Sequence, residues 1–81
     1  MPYYTYIIRC SDGSLYTGWT DDIKKRLAAH NKGVASKYTR ARLPVKLAYQ
    51  EESASKIDAM RRERAIKKMP RAAKLNLIDG A

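Results

Sequence analysis

An α+β fold is predicted, a small three-stranded antiparallel sheet covered by helices in the order β-β-α-β-α-α. Three observations predict it. Two β-branched and aromatic runs, Tyr3 to Arg9 and Leu15 to Trp19, flank the turn-forming Ser11-Asp12-Gly13-Ser14. A third run alternates Val45, Leu47 and Tyr49 with Lys46, Ala48 and Gln50, the period of a strand. The stretches between and after these runs carry helix start and stop residues.

The first helix follows the hairpin. Thr20 can cap it, with Asp21 and Asp22 in its first turn, where the positive end of the helix dipole favours acids. It runs to about Asn31 and stops at Gly33, with Ile23 and Leu27 as a short apolar stripe. Val34 to Leu43 reads as a basic, irregular stretch ended by Pro44. Ser53 or Ser55 caps a second long helix that continues to about Lys68. Pro70 suits the first turn of a last short helix, closed by Gly80. With 81 residues, 1–81 reads as a single domain.

Composition narrows the function. Seventeen Lys and Arg against eight Asp and Glu give a net charge of +9, a field that attracts polyanions. Cys10 is the single cysteine and His30 the single histidine. A disulfide framework and a His/Cys metal cluster within one chain are therefore excluded. No apolar run is long enough to cross a bilayer, and Met1-Pro2-Tyr3-Tyr4 does not open a signal peptide. A cytoplasmic protein with no membrane partner is expected.

Three groups of residues carry chemistry. Arg26 and His30 are four apart and share a helix face. Arg26 can pair with Asp22, or its planar fork can hold two phosphate oxygens while His30 handles protons. Glu63 is the sole acid in Arg61-Arg62-Glu63-Arg64-Ala65-Ile66-Lys67-Lys68. It falls in the apolar arc with Ala59, Met60 and Ile66, and a carboxylate there needs a partner. Lys67, at i,i+4, is one partner; a divalent cation held by one carboxylate, substrate phosphate and waters is the other. Tyr6 and Tyr16 are core aromatics or site phenols according to hairpin register. A two-residue Asp12-Gly13 turn would put them on opposite faces. A three-residue loop, Ser11 to Gly13, would pair Tyr6 with Gly18, Ile8 with Tyr16, and put both phenols on one face.

Together these residues resemble the GIY-YIG nuclease superfamily. Tyr4-Thr5-Tyr6 stands at the first motif and Tyr16-Thr17-Gly18 at the second, with Tyr4 in place of the glycine and Thr17 in place of the isoleucine. Arg26, His30 and Glu63 stand at the family's arginine, its histidine-or-tyrosine position and its metal-binding glutamate. The chain is most similar to the small stand-alone bacterial members and to the nuclease part of the eukaryotic structure-specific endonuclease Slx. The resemblance implies a metal-dependent endonuclease that hydrolyses DNA phosphodiester bonds, with branched or damaged DNA as candidate substrates. Tyr6, Tyr16, Arg26 and His30 would be catalytic, and Glu63 would hold Mg2+ or Mn2+. One of the two tyrosines would help deprotonate water, which requires a lowered phenol pKa. Gly18, Lys37, Tyr38, Arg40 and Arg42 would contact the nucleic acid, DNA or RNA. The alternatives are a non-catalytic nucleic-acid-binding module and an adaptor that needs a protein partner for activity.

Overall fold

The structure is a computed structural model that describes residues 2–80. The elements are β1 (Tyr3–Arg9), β2 (Leu15–Thr20), α1 (Ile23–Asn31), α2 (Lys37–Arg40), β3 (Lys46–Ser53), α3 (Lys56–Lys67) and α4 (Arg71–Asp79). The strands form one antiparallel sheet in the order β2-β1-β3. The expected α+β class and element order are found, with the four-residue α2 added.

The hairpin takes the three-residue loop. Cys10 N–H donates to Ser14 O at 2.9 Å, which leaves Ser11 to Gly13 as the connection. Gly13 adopts φ +85°, a left-handed conformation that glycine reaches without strain. Tyr6 therefore pairs with Gly18 and Ile8 with Tyr16. Tyr6, Ile8, Tyr16 and Gly18 share one face, and Thr5, Ile7, Thr17 and Trp19 share the other.

The central strand is covered on both faces, and Thr5 to Ile8 are all buried. On the Tyr6 face, Tyr6, Ile8, Cys10 and Val45 form a core that Ile23 and Leu27 of α1 close. On the other face lies α3, joined by Thr5 Oγ1, which donates to Ala59 O at 2.9 Å. The buried residues of α3 are Ala59 and Ile66, as its apolar arc requires.

Four local expectations are corrected. Thr20 belongs to β2, and the cap of α1 is Asp22, whose carboxylate accepts from Lys25 N–H at 3.1 Å. Thr20 Oγ1 in turn accepts from Asp22 N–H, so both acids precede the helix. The stretch expected to be irregular contains α2, capped by the Ser36 side chain; one turn is too short to show periodicity. In β3 a register shift between Ile7 and Ile8 inserts Ala48, so Leu47 pairs with Ile8 and Tyr49 with Ile7. Leu47 and Tyr49 consequently occupy opposite faces. Pro70 stands at the cap of α4, one place before its first turn, while α3 is capped by Ser55, one of the two serines expected.

Candidate active site

The second hairpin motif, α1 and α3 converge on a cavity of about 310 Å³ lined by Tyr6, Tyr16, Gly18, Trp19, Thr20, Asp21, Arg26 and Glu63. It wraps the edge of β2, which is why Trp19, of the opposite parity, lines it as well. Gly18 is the opening in its floor. A Cβ there would lie 2.5 Å from Tyr6 Oη and 2.7 Å from its Cζ. Glycine is thus required to seat the Tyr6 phenol. This geometric duty differs from the nucleic-acid contact that the sequence suggests for Gly18.

His30 lies behind Tyr6 and is fully buried. Its Nε2 is 2.9 Å from Tyr6 Oη, and its Nδ1 is 2.8 Å from Thr39 Oγ1 on α2. The Tyr16 ring meets the imidazole edge-on, at 5.3 Å between centroids and 64° between planes. Burial and the Arg26 charge both lower the His30 pKa from its ordinary value, so the imidazole is neutral at neutral pH. Burial also raises the Tyr6 phenol above its ordinary 10.0, against the pull of the Arg26 guanidinium. The lowered pKa expected of the phenol base is therefore not found at Tyr6. Tyr6 is 2% exposed, and there the desolvation of a phenolate outweighs one neighbouring cation.

Arg26 is not the partner of Asp22, whose carboxylate serves the α1 cap. Its Nε is buried and has no hydrogen-bond partner, while the side chain as a whole lines the cavity. Glu63 makes the expected i,i+4 contact with Lys67 at 3.5 Å, yet it also lines the cavity with its side chain 19% exposed. The two readings of Glu63 are thus compatible in one position. Among the described residues no group of three His, Cys, Asp or Glu is placed to hold a metal. The cavity lining carries two carboxylates, Glu63 and Asp21, a sparse oxygen set that fits a magnesium-type ion completed by phosphate oxygens and waters.

The basic stretch divides into two kinds of residue. Lys37 and Arg40 are exposed and available to phosphate. Arg42 is committed internally. Its Nε donates to Asp12 Oδ2 at 3.1 Å, its Nη1 donates to Tyr38 O at 2.8 Å, and its guanidinium covers the Tyr38 ring at 3.9 Å. Tyr38, 39% exposed, stacks by its ring on Tyr16 at 6.0 Å. Arg42 and Tyr38 therefore brace Tyr16 and the hairpin loop.

The sequence reading missed Thr39, Asp21 and Trp19. Asp21 is expected at a helix end and Trp19 in a strand, and the cavity reaches both because it wraps the edge of β2. Thr39 lies in Ser36-Lys37-Tyr38-Thr39-Arg40, a segment with a counterpart in the family the sequence resembles, but nothing there singles out its hydroxyl.

Comparison with known proteins places this geometry. The family model described as the GIY-YIG catalytic domain matches residues 2–76. A UPF0213 protein of Streptococcus agalactiae serotype V is 56% identical over 78 residues, covering 96% of this chain and 89% of the relative. One of Staphylococcus haemolyticus is 51% identical over 95% of this chain and 94% of its own length. The solution NMR structure of a UPF0213 protein from Bacillus halodurans aligns with a TM-score of 0.62 at 42% identity, covering 98% of this chain and 84% of that one. That of a protein from E. faecalis aligns with a TM-score of 0.66 at 34% identity, covering 99% and 85%.

Proposed function

The chain belongs to the GIY-YIG family, and from that premise we propose that it is a divalent-metal-dependent endonuclease that hydrolyses phosphodiester bonds in DNA. The observation that carries this reading is the joint lining of one open cavity by Tyr6, Tyr16, Arg26 and Glu63.

The residues divide the work. Arg26, which lines the cavity, brings its guanidinium charge to the scissile phosphate and offsets charge as it develops. Glu63 would hold Mg2+ or Mn2+, giving up its contact with Lys67 to do so. The ion supplies Lewis-acid polarisation of the phosphate and a counter-charge for the leaving oxygen. Tyr6 does not need to become a free phenolate. Its oxygen accepts a proton from the attacking water while its own proton passes to His30 Nε2, 2.9 Å away. A neutral imidazole is the form that can take that proton. Tyr16, braced between Tyr38 and His30, closes the side of the cavity. Exposed Lys37 and Arg40 hold flanking backbone phosphates.

The test is incubation of the purified protein with nicked, branched and single-stranded DNA in Mg2+ or Mn2+. Cleavage that stops with a chelator supports the nuclease. A binding module needs no metal and leaves every substrate intact. An adaptor cuts only after its protein partner is added.

A further inference from the structure

Thr39 contributes no atom to the cavity, yet it is fully buried and its hydroxyl meets the one histidine. The direction of the hydrogen bonds around it can be reasoned out. Thr39 Oγ1 lies 3.4 Å from Ser36 O, a carbonyl that only accepts, so the hydroxyl proton has a place to go on α2 itself. The oxygen is then free to accept from His30 Nδ1–H at 2.8 Å. A neutral imidazole protonated at Nδ1 has a bare Nε2, which accepts the Tyr6 O–H at 2.9 Å. The Arg26 cation beside the Tyr6 oxygen favours the same direction. A cation on that side is best met by the phenol's lone pairs, with the O–H toward His30.

We propose that Thr39 is a positioning residue that fixes His30 in its Nδ1–H tautomer, and so keeps Nε2 open to receive the Tyr6 proton. The inference rests on the nuclease reading only for its kinetic consequence; the tautomer itself is a property of the folded protein. Its chain of donors runs one way, from Tyr6 to His30 to Thr39 to the Ser36 carbonyl. The reverse tautomer would point Nε2–H at Tyr6 and leave the phenol's proton facing the cavity, with nothing behind it to take it. Thr39 also ties the imidazole to α2, the element that carries the exposed Lys37 and Arg40. The charges that grip the backbone and the clamp on the imidazole thus sit on one helical turn.

His30 is the only histidine, so ¹⁵N-histidine labelling yields a spectrum with one imidazole. In the wild-type protein at neutral pH the expected pattern is a protonated Nδ1 and an unprotonated Nε2. Thr39→Val keeps the shape and removes the acceptor, and it should move the proton to Nε2. Thr39→Ser should keep the wild-type pattern. In cleavage, Thr39→Val should lower kcat by about tenfold or more with KM little changed, and Thr39→Ser should restore it. A wild-type imidazole protonated at Nε2 overturns the proposal, and so does a Thr39→Val spectrum identical to wild type. Should Thr39→Val not fold, the wild-type and Thr39→Ser spectra decide the matter alone. The expected tautomers without cleavage by the wild type would remove the nuclease and leave the role of Thr39 intact. Cleavage with the opposite tautomer would do the reverse.

Discussion

The Tyr6 phenol stands where a side chain on residue 18 would be, its Oη 2.5 Å from the position of a Gly18 Cβ. The two are direct cross-strand partners, so neither can move away without opening the hairpin. Gly18→Ala should force Tyr6 off His30 or distort β2, and overpacking of this kind costs about 1–3 kcal/mol. Urea unfolding should show the loss, and cleavage should fall with it. Unchanged stability together with full activity would contradict this account of the floor.

The buried imidazole should make the protein sensitive to acid. The folded-state pKa of His30 is lowered from 6.5, so the unfolded chain binds its proton first as pH falls. Stability from this group is whole above 6.5 and is lost as pH drops from there through the lower, folded value. Unfolding free energy measured from about pH 8 to about pH 5 should decline for wild type below the ordinary histidine range. His30→Gln should show a flatter profile across that window. Parallel profiles would mean that burial does not hold the imidazole neutral.

Lys37 and Arg40 should behave differently from Arg42. Lys37→Ala and Arg40→Ala should each weaken DNA binding and reduce the slope of log affinity against log salt by about one. Arg42→Ala should act mainly on stability, because its donors already go to Asp12 and Tyr38. That ion pair is half in solvent, so the expected cost is no more than about 1 kcal/mol. Equal effects of all three on the salt slope would refute the division.

Much of this was legible in the chain and the remainder was not, for identifiable reasons. Hairpin composition located β1 and β2, but their register depended on whether Gly13 closed a two- or three-residue loop, a choice of backbone conformation. That choice alone decided that Tyr6 and Tyr16 share a face. Glu63 was found because an acid in an apolar arc is a local anomaly. Thr39 was missed because its partner, His30, lies on another element, and a threonine in a basic stretch violates no local rule. The Arg42 charge shows in sequence, while its partner Asp12, 30 positions away, does not. The bulge at Ala48 left no mark beyond an ordinary alternation.

On the proposed mechanism, Arg26→Ala should remove the charge that steadies the scissile phosphate. Loss of one positioned donor costs about 3 kcal/mol, or roughly a hundredfold in kcat. Binding should change little, since one phosphate contact among several is lost. Arg26→Lys should recover binding but little of the rate, because an ammonium lacks the planar fork. A variant that loses affinity in proportion to its rate would assign Arg26 to binding alone.

The central claim is that the Glu63 carboxylate, in the cavity shared by Tyr6, Tyr16 and Arg26, holds the ion on which phosphodiester cleavage depends. Its most direct test is a paired measurement on wild type and Glu63→Gln, with Mn2+ binding followed by electron paramagnetic resonance and cleavage of nicked, branched and single-stranded DNA followed in the same buffer. The account predicts that wild type binds Mn2+ and cuts at least one substrate. Glu63→Gln should lose both, while it stays folded and binds DNA as well as before or slightly better. Full cleavage by Glu63→Gln would contradict the account, as would a wild type that binds DNA and leaves every substrate uncut in the presence of metal.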